Sequence, residues 1–217
     1  MRKYKTILFD LDGTLLDTIT DITNSINNTL IKYNFDKKYT TDDVCGFIGD
    51  GAIKLINRVL SRLNVSKDLE EAFFKDYCKT YSAHRYDLTK PFDGIINVIN
   101  ELIKKDYRLG IISNKPHNDT LGVVNLYFKD MFDIVYGKQD GVPTKPNPEI
   151  FNLIKDKYNI NEEETLYIGD MKVDIEFAKN VKIDVCIVSY GYGKINKNIG
   201  QNYTIDKIEN LLDILED

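Results

Sequence analysis

The chain has 217 residues, which is enough for one core or for one core with a small accessory domain. Hydrophobic residues make up 42% of it and charged residues 29%, and these values exclude the low hydrophobicity and extreme charge of disordered chains. The formal net charge of -5 argues against nucleic acid as a partner, because nucleic-acid binding requires a basic surface.

The first predicted element is a strand that runs from Thr6 to Phe9 and ends at Asp10. Its apolar residues follow one another without polar alternation. This pattern is typical of a strand that is covered on both faces within a parallel sheet.

Residues 17–88 show a different pattern, because apolar side chains recur there at helical spacing. The three sets are Ile19, Ile22, Ile26, Leu30 and Tyr33; Ile53, Ile56, Leu60 and Leu63; and Leu69, Phe73 and Tyr77. The spacing predicts a small all-helical cap domain, inserted between the first and second strands of a sheet.

Two polar features lie in this predicted cap. Gly49-Asp50-Gly51 separates two of the helices and is either a plain loop or a substrate contact. Lys54, Arg58 and Arg62 recur every four residues, as an anion-binding stripe or as a solvated helix face would. The apolar residues of the same helix lie on the opposite side, which favours the solvated face.

Pro91 and Gly94 mark the return to the core. Further buried strands are predicted at residues 109–112, 134–136, 166–168 and 185–188, with helices between them. One helix places Ile95, Val98, Ile99 and Leu102 on one face, and another has Pro148 as its first residue. Alternating strands and helices predict an α/β fold: a doubly wound, mainly parallel Rossmann-like sheet formed by residues 1–16 and 89–217.

Polar residues follow the strand ends of this sheet, where open parallel sheets bind ligands. They are Asp10 and Asp12 after the first strand, Ser113 and Asn114 after the second, Lys145 before the Pro148 helix, and Asp170 and Asp174 after the fourth. Four carboxylates in one crevice repel one another, and a hard cation such as Mg²⁺ relieves that repulsion. A carboxylate beside such a cation is equipped to attack phosphorus.

These segments resemble, in order and approximate spacing, the four motifs of the haloacid-dehalogenase-like hydrolase superfamily. They are Asp10-Leu11-Asp12-Gly13-Thr14-Leu15, Ser113-Asn114, Lys145-Pro146, and Gly169-Asp170 through Asp174. The resemblance covers essentially the whole chain, and the helical insertion resembles the superfamily's type 1 cap. Pro91-Phe92-Asp93-Gly94, Ser113-Asn114-Lys115 and Lys145-Pro146-Asn147-Pro148 are similar to the phosphoglycolate phosphatase branch.

The resemblance implies a role for each matched residue. Asp10 would be the nucleophile, Asp12 the general acid and base, Ser113 a ligand of a phosphoryl oxygen, and Lys145 the cation that steadies the aspartate and phosphate charges. Mg²⁺ would be bound by Asp10, the backbone carbonyl of Asp12, and Asp170, with Asp174 as a direct, water-mediated or indirect partner. Substrate contacts are predicted for Thr14, Asn114 and the Gly49-Asp50-Gly51 loop, since the matching loop of this cap type tends to face the active site.

The predicted activity is magnesium-dependent hydrolysis of a small, phosphoglycolate-like phosphate monoester through an aspartyl-phosphate. Alternatives on the same fold are a pyrophosphatase, a 5′-nucleotidase, and a sugar-phosphate phosphatase or phosphomutase. A non-catalytic binding module is a further alternative. A dehalogenase is disfavoured, because that branch lacks the second carboxyl and Asp12 is present here.

The number and spacing of the cysteines indicate in which cellular compartment the protein is expected. Cys45, Cys78 and Cys186 are odd in number and far apart, which argues against a disulfide framework and favours a reducing cytosol. The apolar runs are too short for a signal-peptide core or a membrane span. We therefore expect a cytoplasmic monomer or homodimer without a membrane partner.

Overall fold

A computed structural model describes residues 3–63, 65–195 and 198–216 of the chain. It divides into two compact units, one formed by Met1–Asp17 with Pro91–Asp217 and the other by Thr18–Lys90. The sequence predicts the corresponding domains at residues 1–16 with 89–217, and at residues 17–88.

The described part of the first unit contains a six-stranded sheet. Its strands are β1 Thr6–Phe9, β4 Arg108–Pro116, β5 Ile134–Lys138, β6 Thr165–Gly169, β7 Asp184–Val188 and β8 Tyr203–Ile205. They are arranged in the order β5-β4-β1-β6-β7-β8, and every neighbouring pair is parallel. Strands β2 (Leu16–Asp17) and β3 (Lys90–Pro91) form a separate two-stranded sheet. The predicted parallel α/β sheet is confirmed.

The register of β1 fixes where the strand ends meet. Phe9 lies opposite Ile111 of β4 and Ile168 of β6, so the residues that follow these strands leave the sheet at one edge. The side chains of β1 are buried throughout, as expected for a central strand that is covered on both faces. The predicted site residues that follow β1, β4 and β6 therefore start from neighbouring strand ends.

The helices of the first unit are α5 Ile95–Lys104, α6 His117–Tyr127, α7 Glu149–Tyr158, α8 Lys172–Val181 and α9 Asn210–Glu216, with a 3-10 helix at Glu162–Glu164. Helix α7 begins one residue later than predicted, since Pro148 is its N-cap. Phe151 of α7 and Phe177 of α8 are buried against each other, and Phe177 also contacts the ring of Tyr167 on β6. These helices bury their apolar faces on the sheet.

The second unit is helical, as the apolar spacing predicts. Its helices are α1 Ile19–Lys32, α2 Thr41–Cys45, α3 Ala52–Leu60 and α4 Lys67–His84. Lys32 Nζ and Tyr33 Oη, at the end of α1, lie 2.6 and 2.8 Å from Asp76 Oδ2 on α4. Helix α2 was not predicted, because its five residues are too few for a periodic apolar pattern. It begins at a capping box between Thr40 and Asp43.

No helix within residues 3–63, 65–195 and 198–216 combines the length and the apolar character that a membrane span requires.

A buried carboxylate closes the second unit upon itself. Asp21, on α1, is 2% exposed, and its Oδ2 accepts hydrogen bonds from Thr89 N and Thr89 Oγ1, both at 2.8 Å. Leu88 N donates to the same carboxylate at 3.0 Å. Asp21 thereby joins the first helix of the unit to its last residues.

We expect Asp21→Ala to lower the free energy of unfolding by about 3 kcal/mol, because buried donors lose a charged acceptor. Urea unfolding measures this change. Asp36→Ala is the matched control, since Asp36 is an exposed aspartate of the same unit and its replacement should cost less than about 0.5 kcal/mol. Equal stability of the two variants would contradict a supporting role for Asp21.

Candidate active site

Asp10 is positioned by the sheet itself. Its backbone N–H donates to Ile168 O at 2.8 Å, which continues the pairing of β1 with β6 beyond the end of the strand. The residue is 8% exposed, and its Oδ1 lies 2.9 Å from Lys145 Nζ. The predicted nucleophile is therefore fixed at its backbone and at its carboxylate.

A tight turn follows Asp10 and carries Asp12. The carbonyl of Leu11 accepts hydrogen bonds from Leu15 N at 3.0 Å and Leu16 N at 2.9 Å. Gly13 has φ +90°, and a Cβ at this position would lie 2.5 Å from Asp170 Oδ2. The turn therefore requires glycine both for its backbone conformation and for its close approach to Asp170.

Lys145 is the central cation of the site. Its ammonium lies 2.9 Å from Asp10 Oδ1, 2.8 Å from Asp174 Oδ1 and 2.6 Å from the Tyr167 hydroxyl. An ammonium has three N–H groups, so these partners account for its donors. Tyr167 passes its own hydroxyl hydrogen to Ile112 O at 2.9 Å. Tyr167 was not predicted as a site residue, because in the sequence it is one of several buried residues of a strand.

The side-chain amide of Asn114 bonds the backbone of Lys145. Its Oδ1 accepts from Lys145 N at 2.7 Å, and its Nδ2 donates to Lys145 O at 3.1 Å. Asn114 was predicted to contact substrate, and that contact remains a prediction. In the structure its amide positions the backbone of Lys145. The hydroxyl oxygen of the preceding Ser113 accepts a hydrogen bond from Lys115 N at 3.2 Å, and its contact with a phosphoryl oxygen remains a prediction.

Both carboxylate oxygens of Asp174 accept hydrogen bonds. Asp174 Oδ1 lies on Lys145, while Oδ2 accepts from Met171 N at 3.0 Å and Asp170 N at 3.2 Å. Asp174 is the third residue of α8, and its side chain reaches back to the N-cap residue Met171. Its direct, water-mediated or indirect part in cation binding remains a prediction.

Asp170 is held by donors from two other segments. Its Oδ2 accepts hydrogen bonds from Tyr192 N at 2.7 Å and Gly193 N at 3.2 Å, and its Oδ1 accepts from Thr14 Oγ1 at 3.2 Å. Thr14 was predicted to contact substrate. The structure places its fully buried hydroxyl on Asp170, and a substrate contact remains a prediction.

Burial dominates the protonation of the cluster. It raises the pKa of Asp10 to about 7, with Lys145 opposing this shift and Asp174 and Asp12 adding to it. Burial and the charges of Asp174 and Asp10 raise the pKa of Asp170 well above its usual range. Burial alone would lower the pKa of Lys145, but the carboxylates around it hold that pKa well above the ordinary value.

The residues fit a divalent cation. Asp10, Asp170 and Asp174 each offer a carboxylate oxygen, and these oxygens lie within 4.8 Å of one another. Three carboxylates against the one ammonium of Lys145 leave a formal charge of 1 − 3 = -2 when all are ionised. An oxygen-only donor set with that charge suits a hard dication such as Mg²⁺.

Lys115 is a site residue whose role the sequence did not reveal. Its ammonium lies 2.9 and 3.1 Å from the two carboxylate oxygens of Asp12, and its side chain is 3% exposed. The signal was its place two residues after Ser113, at the end of the strand beside β1. Alternation along a strand returns the side chains of residues two apart to the same face.

The Gly49-Asp50-Gly51 loop lies in the second unit. Asp50 forms an ion pair with Arg58, and Lys54 Nζ lies 3.7 Å from Asp50 Oδ1. Arg58 Nη1 also donates to Phe47 O at 2.6 Å. Two cations of the predicted stripe therefore brace this loop, and the substrate contact of the loop remains a prediction.

Comparison with known proteins gives matches over nearly the whole chain. A family model described as haloacid dehalogenase-like hydrolase matches residues 7–188. Pyrophosphatase PpaX from Listeria monocytogenes serotype 4a (strain HCC23) is 30% identical over 219 residues, covering 99% of this chain and 98% of that protein. Phosphoglycolate phosphatase from Colwellia psychrerythraea (strain 34H / ATCC BAA-681) is 30% identical over 220 residues, covering 98% and 97%. A crystal structure of a predicted phosphoglycolate phosphatase from Haemophilus somnus 129PT shares the fold, with a TM-score of 0.89 at 24% identity over 99% of both chains.

We expect Mg²⁺ to bind more tightly as the pH rises through about 7, because the pKa of Asp10 is raised to about 7 and a ligating carboxylate must lose its proton. Below that pH a proton competes with the cation, and binding releases the proton. Calorimetric titrations between about pH 6 and about pH 8, in buffers of different ionisation enthalpy, measure both effects.

Asp10→Asn is the control for this pH dependence. The variant lacks the titrating carboxyl, so its residual affinity for Mg²⁺ should change less across the same pH range. A wild-type affinity that stays constant from about pH 6 to about pH 8 would contradict a cation site that includes Asp10.

Proposed function

Since the chain belongs to the haloacid dehalogenase-like hydrolase family and is a phosphatase of that family, we propose that it is magnesium-dependent and hydrolyses a small phosphate compound through an aspartyl-phosphate on Asp10. The observation that carries the proposal is the pairing of two carboxylates with two lysines. Lys145 holds Asp10, and Lys115 holds Asp12. The proposed nucleophile and the proposed proton donor are thus each paired with a lysine of their own.

In the first half-reaction, Asp10 attacks the phosphorus atom and forms an acyl-phosphate bond. The bond between phosphorus and the leaving oxygen breaks, and Asp12 gives its proton to that oxygen. Ser113 donates its hydroxyl hydrogen to a phosphoryl oxygen. Lys145 keeps the Asp10 carboxylate oriented for attack.

In the second half-reaction, Asp12 takes a proton from a water molecule that attacks the phosphorus atom. The bond between phosphorus and Asp10 breaks, inorganic phosphate leaves, and the Asp10 carboxylate is restored. Asp12 gives up one proton in the first half and takes another from water in the second, so its contact with Lys115 must keep it oriented in both.

Mg²⁺ would be held by Asp10, Asp170 and the backbone carbonyl of Asp12, with Asp174 supporting the site from its position on Lys145. When bound, such an ion neutralises charge on the transferring phosphoryl group. The formal charge of the carboxylate cluster and its raised pKa values support this assignment.

We propose a small, phosphoglycolate-like monoester as substrate, in keeping with the phosphoglycolate phosphatase relative. Inorganic pyrophosphate is the second candidate, because a relative named as a pyrophosphatase matches the chain at the same identity, over 219 residues against 220. A nucleotide or a sugar phosphate remains an alternative, and a phosphomutase would release an isomerised sugar phosphate instead of free phosphate. We place the enzyme in the cytoplasm, as a monomer or homodimer.

We expect the wild type to release phosphate in the presence of Mg²⁺ and Asp10→Asn to lose at least about a thousandfold in kcat, because the attacking carboxylate is gone. The assay compares 2-phosphoglycolate, pyrophosphate, a sugar phosphate and a nucleoside monophosphate. Asp156→Asn is a matched control whose kcat should be unchanged, since Asp156 is an exposed aspartate of the same unit. Equal rates for wild type and Asp10→Asn would contradict the mechanism.

We expect Lys115→Met to lower kcat by about a hundredfold with little change in KM, because Asp12 then loses the contact that orients it towards the leaving oxygen. Lys115→Arg should recover part of kcat, since a guanidinium also reaches two carboxylate oxygens. Thermal unfolding of both variants controls for folding. A rise in KM with kcat unchanged would show instead that Lys115 serves ground-state substrate binding.

A further inference from the structure

The loop at residues 189–193, directly after β7, lies between two parts of the first unit. Its sequence is Ser189-Tyr190-Gly191-Tyr192-Gly193. One side of the loop contacts Asp170, and the other contacts residues 14–17, from which the chain enters the helical unit. No catalytic step described above uses either contact.

The backbone of the loop binds the carboxylate of Asp170. Tyr192 N and Gly193 N both donate to Asp170 Oδ2, at 2.7 and 3.2 Å. This approach requires bare backbone, because a Cβ on Gly193 would lie 1.9 Å from the Asp170 carbonyl oxygen. A Cβ on Gly191 would lie 2.3 Å from Asp170 Cβ. The loop therefore closes tightly over a predicted ligand of the cation.

The side chains of the same loop bind residues 14–17. The Tyr192 hydroxyl donates to Asp17 Oδ1 at 3.0 Å, and the Tyr190 hydroxyl donates to Thr14 O at 2.9 Å. Phe92 packs against the Tyr190 ring, with 5.0 Å between the ring centroids. Asp17 is the last residue of this stretch of the first unit, and Thr18 begins the helical unit.

We propose that Tyr192 is a positioning residue that couples cation binding at Asp170 to the conformation of residues 14–17. One residue makes both contacts, through its backbone N–H on Asp170 and its hydroxyl on Asp17. A shift of Asp170 towards a cation therefore moves the segment that holds Asp17. The coupling is reciprocal by thermodynamic necessity, so loss of the Asp17 contact weakens cation binding.

The inference rests on the proposed function, because it takes Asp170 as a ligand of Mg²⁺. Tyr192→Phe is the test variant, since it removes the hydroxyl and keeps the ring and both backbone donors. Calorimetric titration with Mg²⁺ alone should give a Kd about tenfold weaker than that of the wild type, a loss in the range found for residues that orient metal ligands. Tyr203→Phe is the matched control, because the Tyr203 hydroxyl contacts Tyr4 and neither Asp170 nor Asp17. Its Kd should be unchanged.

Two further measurements separate coupling from a general loss of structure. Amide hydrogen exchange of the peptide that contains residues 13–17 should slow on addition of Mg²⁺ in the wild type and stay unchanged in Tyr192→Phe. Asp17→Ala, which removes the acceptor, should weaken Mg²⁺ binding as Tyr192→Phe does, and the double variant should bind no more weakly than either single variant. Asp17→Ala also keeps the proposal testable if Tyr192→Phe does not fold.

The outcomes distinguish the two proposals. Equal Mg²⁺ affinity of wild type and Tyr192→Phe, additive losses in the double variant, or exchange in residues 13–17 that ignores Mg²⁺ would each overturn the coupling, while the phosphatase mechanism stands. A wild type that hydrolyses its substrate but binds no Mg²⁺ would overturn the metal site and the coupling together.

Discussion

The rest of the structure depends on like charges that are buried around Asp10. Three carboxylates share one ammonium, that of Lys145, and this burial raises the pKa of both Asp10 and Asp170. For a carboxyl group with a raised pKa, the folded state holds the proton more tightly than the unfolded chain does. The contribution of these two groups to the stability of the cation-free protein is therefore greatest below the ordinary carboxyl pKa of about 4 and is lost as the pH rises towards about 7. Binding of the proposed cation would offset this loss.

Each member of the cluster is fixed by groups from elsewhere in the sheet. The side chain of Asn114 forms hydrogen bonds with the backbone N–H and carbonyl of Lys145. Backbone N–H groups at the start of α8 and in the loop after β7 donate to Asp174 and Asp170, respectively. These supports come from segments that are distant in the chain, and parallel pairing brings their strand ends to one edge. The sheet order, with β1 between β4 and β6, is what allows charges that repel one another to be held in a single crevice.

Sequence reasoning predicted the parts that produce local patterns. Buried parallel strands appear as unbroken apolar runs, and the acids that follow them share a sheet edge, so the sequence alone predicts that Asp10 and Asp170 lie at that edge. The helices of the second unit were readable from apolar spacing. By contrast, β8 and α2 have three and five residues, which is too short for a periodic signal.

The side-chain pairings were not predictable for a different reason. The contact of Tyr167 with Lys145 and that of Lys115 with Asp12 join residues 22 and 103 positions apart, and neither pairing leaves a trace in residue spacing. Asn114 shows the same limit, since its amide bonds the backbone of a residue 31 positions away. A motif indicates that a residue matters, whereas its partner depends on how the strand ends are spaced in the folded sheet.

The proposed chemistry belongs to one of the two units of the chain. Within the helical unit, Asp21 binds Leu88 and Thr89, and Asp76 binds Lys32 and Tyr33. The carboxylates and lysines of the proposed mechanism all belong to the first unit. Most changes within the cluster therefore disturb several pKa values together. Under the substrate contact predicted for the Gly49-Asp50-Gly51 loop, differences in substrate preference among related chains are expected first in residues 18–90.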